Sequence, residues 1–262
     1  MSAPPHADPG RGVFETMLVL AGRAVELDVH IGRLTTSVNA LYRSALPGSA
    51  RELLVDRAGE IECGKLRLTV TPARGALQLD VSASEIDPDS VFPGADRAAS
   101  LRSWVVAGGL GEHKWADRDL LDRLAAASAG ELPLLLDADG AVLEASRASV
   151  FVIREERIVT PPSDGRILPS IARQQAIETA DAEGIETREE RLTMDELRSA
   201  EVFLTGSVRG VEPVRFLDGA ELTPPSEVSE RIAGGLRRRW MAPAEEPAVA
   251  VAAGQPSGRP GR

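Results

Sequence analysis

The chain has 262 residues, a single cysteine (Cys63), 43% hydrophobic and 27% charged side chains, and a formal net charge of −10 at pH 7. That length buries a core without crosslinks and one thiol makes no internal disulfide, so a disulfide-dependent miniprotein is excluded. The acidic balance disfavours nucleic acid and anionic membranes; no apolar run nears the ~18 residues that cross a bilayer, and MSAPPHADPGRG lacks the blocks of a signal peptide, so a soluble, cytoplasmic protein is expected.

In chain order, residues 1–11 are expected to be a flexible N-terminus. Residues 12–20 (GVFETMLVL) predict a strand, with a turn at Ala21-Gly22 and a short returning strand at 24–27. Asp28 stands where an N-cap belongs, and Ile31, Leu34, Val38 and Leu41 share one helical face over 29–43. KLRLTVT (65–71) and ALQLDV (76–81) alternate around Arg74-Gly75 as a hairpin. Residues 85–100 carry two prolines and several acids, the composition of a linker. Residues 12–105 thus predict a small α/β domain.

A larger α/β domain is predicted over 106–240. A strand at 103–107 leads through Gly108-Gly109-Leu110-Gly111 to His113-Lys114-Trp115, and Leu120, Leu121 and Leu124 mark a helix starting near Asp117. Residues 132–137 and 140–145 flank a hairpin turn at Asp137–Gly140, and 149–153 and 156–162 continue the sheet. Pro169 and Ser170 open a helix that ends near Gly184, and Thr193 with Glu196 forms a capping box. The strand 201–205 runs into Gly206-Ser207, and 208–216 follows before a turn at Asp218-Gly219. Residues 241–262 are too poor in large apolar side chains to fold alone, so a disordered tail is expected.

Of the 30 basic residues only Lys65 and Lys114 are lysines. In a chain that uses arginine for generic positive charge, a lysine is a candidate for what arginine cannot supply, a nitrogen that deprotonates and attacks carbonyls. Lys114, after the glycine-rich segment and beside Trp115, reads either as such a nucleophile or as an exposed lysine at a helix start. Glu144, between Val142, Leu143 and Ala145, reads as a buried carboxylate in need of a cation or as a strand glutamate facing solvent. Two places offer an anion site: the helix start at Ile171-Ala172, with free amides and the positive end of the dipole, and the Gly206-Ser207-Val208 turn. Arg33 adds a guanidinium or is a surface arginine. The histidines His6, His30 and His113 share no ligand spacing, so no metal is expected, and no GxSxG, GxGxxG or P-loop occurs.

Six segments in order, GVFET, HIGRL, HKWADRDLL, LLLDADGAVLEASRASVFV, IVTPPSDGRILPSIAR and AEVFLTGSVRGVEPV, resemble the fold-type IV pyridoxal-phosphate enzymes, the class IV aminotransferase family with its 4-amino-4-deoxychorismate lyases. The likeness spans about Gly10 to Leu217. It implies two α/β domains (an α+β arrangement) with pyridoxal 5'-phosphate in the cleft between them, and a homodimer whose partner closes the site. It further implies that Lys114 bonds the coenzyme, Glu144 faces its ring nitrogen, and Arg33, the Ile171 and Ala172 amides, Ser207 and Val208 hold its phosphate.

Asp119 stands where branched-chain enzymes carry a tyrosine, and the PARGALQ turn lacks the histidine of D-amino-acid enzymes. GVFET, HK-x-x-x-R and GVEPV resemble the lyase branch, which forms 4-aminobenzoate and pyruvate on the folate pathway, with Arg209 a candidate for a substrate carboxylate. Ser170, Ala172 and Ser149 depart from the family's glycine, threonine and asparagine. Three readings therefore stand: a lyase, an aminotransferase of branched-chain or D-amino acids, and a non-catalytic or weakly coenzyme-binding relative.

Overall fold

The computed structural model describes residues 7–242. The expectations of a flexible start and a disordered tail fall, for residues 1–6 and 243–262, outside the described residues. Two corrections apply inside them: Pro9–Arg11 form a 3-10 turn capped by Asp8, and Met241 closes a helix.

The N-terminal part contains β1 (Val13–Leu20), β2 (Arg23–Ala24), α1 (Leu27–Tyr42), α2 (Ser49–Ala58), β3 (Cys63–Ala73) and β4 (Ala76–Glu85). Its four strands form an antiparallel sheet in the order β2-β1-β3-β4. Alternation on β3 puts Leu66, Leu68 and Val70 into a core shared with Leu34 and Val38 of α1 and Leu54 of α2, leaving Lys65 and Arg67 on the opposite face. The expected strand at 24–27 is shorter, because Glu26 turns left-handed (φ 55°) and the helix begins at Leu27. Asp28 therefore lies in the first turn of α1 and does not cap it.

The rest contains β5 (Ala99–Val105), α3 (Asp119–Ala127), β6 (Leu132–Leu136), β7 (Ala141–Ala145), β8 (Ser149–Arg154), β9 (Arg157–Thr160), α4 (Ile171–Ala182), β10 (Thr187–Glu189), β11 (Leu192–Thr193), α5 (Met194–Arg198), β12 (Glu201–Gly206), β13 (Gly210–Leu217), β14 (Ala220–Glu221) and α6 (Glu227–Met241). Its strands run β10-β9-β8-β12-β13-β5-β6-β7-β11, with β14 on β13. The β5 strand starts four residues before the predicted 103, because parallel pairing with β13 recruits Ala99 and Leu101. The fold is thus mixed α/β with two curled sheets.

Between the sheets, residues 85–100 hold two 3-10 turns and are anchored by Val91 and Phe92, whose ring lies 5.1 Å from Trp240 of α6. The β1 strand is the seam. One edge pairs with β3, while on the other Phe14 N–H donates to the Lys114 carbonyl (2.9 Å) and Leu18 N–H to that of Ser207 (3.2 Å). Both sheets therefore meet at the loops that precede α3 and β13.

Candidate active site

A cavity of about 420 Å3 opens at that seam. Lys114 enters it from a loop held on both sides: Ala116 N–H donates to Gly12 O (2.9 Å), Gly111 N–H to Arg166 O (3.2 Å), and the Trp115 side chain is buried in the N-terminal core. Gly109 adopts φ +67°, and a Cβ there would stand 2.1 Å from the Arg166 carbonyl oxygen, so this approach to Lys114 requires glycine. Nζ lies 5.1 Å from the centre of the Phe14 ring. Burial, followed by the charge of Arg33, pushes the Lys114 ammonium down to about 8.

Glu144 comes from β7, whose five residues are all buried. Its one hydrogen bond among the described residues is from Leu168 N–H, at 3.4 Å. Burial pushes its carboxyl up to about 8, with that amide and Lys114 pulling the other way. The lysine and the acid thus share one cavity, and the solvent-facing reading of Glu144 is wrong.

Arg33, read as either surface or site, lies in the cavity wall. Its Nε and Nη2 each donate to Glu15 at 2.7 Å, and its Nη1 donates to the Pro169 carbonyl at 2.9 Å. A guanidinium has five N–H groups, so two are left over. Pro169 leads into α4, where the Ser170 hydroxyl accepts from Arg173 N–H (3.3 Å) as N-cap. The amides of Ile171 and Ala172 take part in no hydrogen bond among the described residues. Their side chains are buried in the protein, so these two residues offer backbone and nothing else. Ser207 and Val208 line the cavity from the β12–β13 turn, and Ser149 presents a buried hydroxyl with no partner among the described residues. Free amides at the start of α4, spare guanidinium donors of Arg33 and the hydroxyls of Ser207 and Ser149 are groups able to hold a phosphate-like anion. The buried Glu144 carboxyl lines the same cavity without an ion-pair partner among the described residues, a setting that suits a protonated ring nitrogen.

The rim carries more cations than the sequence reading found. Seven basic side chains line the cavity against two acids, in a chain of net charge −10. Arg67 lies over the Phe14 ring (4.3 Å), and Arg118 donates to the Ser146 carbonyl (3.0 Å); neither has a carboxylate partner among the described residues. Burial and the nearby Arg67 push the Arg118 guanidinium down, against the pull of Asp122. Arg209, expected at a substrate carboxylate, lines the cavity but pairs with Glu212 (2.9 Å), which also holds Arg147 (3.0 Å). Glu15, His30, Lys65, Arg67, Arg118 and Arg147 were missed as site residues. The KLRL alternation was a usable signal for two of them, since it puts Lys65 and Arg67 on one face.

Among known proteins, a family model for amino-transferase class IV matches residues 12–217. A Methanocaldococcus jannaschii protein provisionally described as a branched-chain-amino-acid aminotransferase is 28% identical over 246 residues, 80% of each chain. The bifunctional aminodeoxychorismate lyase / D-amino acid transaminase of Mycobacterium tuberculosis is 28% identical over 267 residues, 85% of this chain and 90% of that one. A hypothetical aminotransferase from Mycobacterium tuberculosis, solved in its PLP-bound form, matches with a TM-score of 0.77 at 23% identity, covering 92% of this chain and 94% of that chain. At that identity the likeness is one of fold.

Proposed function

We propose, from the premise that this chain belongs to the class IV aminotransferase family and so is a pyridoxal-phosphate-dependent enzyme, that it cleaves 4-amino-4-deoxychorismate to 4-aminobenzoate and pyruvate. The observation that carries this reading is the cationic rim. The substrate bears two carboxylates, and the cavity offers two basic stations, Arg67 with Arg118 and Arg147 with Arg209. A branched-chain amino acid has one carboxylate; placed at Arg147 and Arg209, which already share Glu212, it would leave Arg67 and Arg118 without an anion.

Pyridoxal phosphate, when bound, supplies a ring that accepts electrons from the carbon bearing the substrate's amino group. Lys114 would hold its aldehyde, and Glu144 would face the ring nitrogen and stay ionised against that cation. Arg33, the Ile171 and Ala172 amides, Ser207 and Val208 would hold the phosphate, fixing the ring without using its reactive end. Nζ of Lys114, once free, would take the proton from the substrate carbon that bears the amino group and deliver it to the enolpyruvyl oxygen as that oxygen's bond to the substrate's own ring breaks, leaving 4-aminobenzoate and the enol of pyruvate. With Nζ near neutrality, the same nitrogen can hold a proton and release it at physiological pH. Arg209, with Arg147, would receive one carboxylate.

The bifunctional relative, whose second activity is that of a D-amino acid transaminase, keeps a second reading alive, aminotransfer between branched-chain or D-amino acids and keto acids. Incubation with 4-amino-4-deoxychorismate and no added keto acid separates the two: pyruvate release supports the lyase, and strict dependence on a keto acid overturns it. Residues 12–105 and 106–240 would form the two domains of a cytoplasmic homodimer serving folate synthesis, as the family likeness implies.

A further inference from the structure

Glu15 takes no part in the steps above, yet it is among the most enclosed charges at the site. It is 2% exposed on β1, with His30, also 2% exposed, placing Nδ1 2.8 Å from its Oε2. Burial alone would raise its pKa, but the charge of Arg33 and hydrogen bonds from His30 and Arg33 outweigh that and hold the carboxyl down to about 2. Burial also pushes the His30 imidazolium down, against Glu15, so a neutral ring donating through Nδ1–H matches the carboxylate it meets.

The arrangement follows from two periodicities. Residues of β1 alternate, so Glu15 turns toward α1 with Met17, while Phe14 and Thr16 line the cavity. His30 and Arg33 are three residues apart on α1, close enough for one carboxylate to bind both. The Arg33 fork is then fastened at two points on different parts of the protein, Glu15 on β1 and the Pro169 carbonyl before α4. Left alone, so long a side chain would sample many rotamers.

We propose that Glu15 and His30 are positioning residues: without touching the coenzyme, they hold Arg33 in the one orientation from which its spare N–H groups and the amides of α4 form a single phosphate site. This rests on the reading of Arg33 as a phosphate anchor. Because the Glu15–Arg33 pair is neutral overall, Glu15 works by orientation; removing it leaves a stronger net charge but a loose fork.

Absorbance titration of the coenzyme-free full chain tests this, using pyridoxal phosphate and, in parallel, pyridoxal, which keeps the aldehyde and ring but lacks the phosphate. Glu15→Gln is expected to weaken pyridoxal phosphate about 10- to 100-fold, the range for a lost hydrogen bond to a charged group. His30→Gln is expected to weaken it less, Glu15→Asp to fall between, and pyridoxal affinity to stay within about twofold throughout. On an Arg33→Ala background, Glu15→Gln should add no further loss. Unchanged phosphate-ester affinity in Glu15→Gln, equal losses for both ligands, or additivity with Arg33→Ala would each overturn the proposal. Should Glu15→Gln not fold, His30→Gln decides: equal affinity for both ligands relative to wild type overturns it, and a selective loss supports it. If Arg33→Ala itself leaves phosphate preference intact, the reading of Arg33 fails instead.

Discussion

The two sheets each bury one carboxylate beside Lys114 and leave the pair in opposite states. On β1, Glu15 meets an arginine fork and an imidazole, and stays ionised down to about 2. On β7, Glu144 is 7% exposed, meets one amide at 3.4 Å, and holds its proton up to about 8. Both pay the same kind of desolvation penalty, so burial alone does not set the charge of an acid. What differs is a resident cation. The cation for Glu15 is built into the chain, whereas Glu144 forms no ion pair among the described residues and feels Lys114 and Arg118 only at a distance; under the proposed function a protonated ring nitrogen would supply the missing partner.

Breaking the shared element, Lys114→Ala, is expected to have the largest effect. It should lower turnover by at least about 10³-fold, as loss of both covalent attachment and proton transfer implies, measured as pyruvate release. Glu144→Gln comes next, with kcat expected to fall about 10²–10³-fold by loss of a preorganised charge, while the folded fraction is unchanged.

The same substitution sharpens the comparison through pH. Between 4.5 and about 8 the folded, coenzyme-free protein holds a proton on Glu144 that the unfolded chain has released, so stability falls as pH rises across that window. Above about 8, Lys114 reverses the slope toward 10.5, because the unfolded chain then binds the extra proton. Glu15 does the opposite of Glu144: its contribution is complete above 4.5 and is lost as pH falls toward about 2. Thermal melts across pH should show Glu144→Gln removing the decline between 4.5 and 8 and Glu15→Gln removing part of the acid loss.

A smaller effect is expected at the rim. Replacing Arg67 and Arg118 together by alanine should raise KM for the dicarboxylic substrate about 10- to 100-fold with kcat less affected, measured in initial-rate assays, because these groups bind the ground state and transition state alike. Smallest is Ser170→Ala, which removes the α4 cap and is expected to cost about 1 kcal/mol, read as a drop of a few degrees in Tm.

Much of this was legible in the residues themselves. The Lys114 loop, the Thr193–Glu196 capping box and the strand carrying Glu144 follow from turn chemistry and local apolar pattern. Two helices were not. In α2 the buried stripe is only Ala50, Leu54 and Ala58, too small a signal among charged neighbours. In α6, Ile232, Leu236 and Trp240 mark a face, but Gly234-Gly235 argues against a helix on propensity. Packing overrides that preference: a Cβ on Gly235 would stand 2.4 Å from Thr179 Cγ2, so the glycine lets α6 close on α4. The rim arginines were illegible for another reason. In a chain with 28 arginines, only the fold shows which ones lack an acid, and Arg67 and Arg118 gather from β3 and the loop before α3.

The chain contains only two lysines, Lys65 and Lys114, and both line the cavity. Reducing the pyridoxal-phosphate-loaded protein with borohydride and mapping the modified peptide by mass therefore tests the central assignment directly. The account predicts a phosphopyridoxyl group on Lys114 alone, lost in Lys114→Ala; modification of Lys65 in its place, or none, would contradict it.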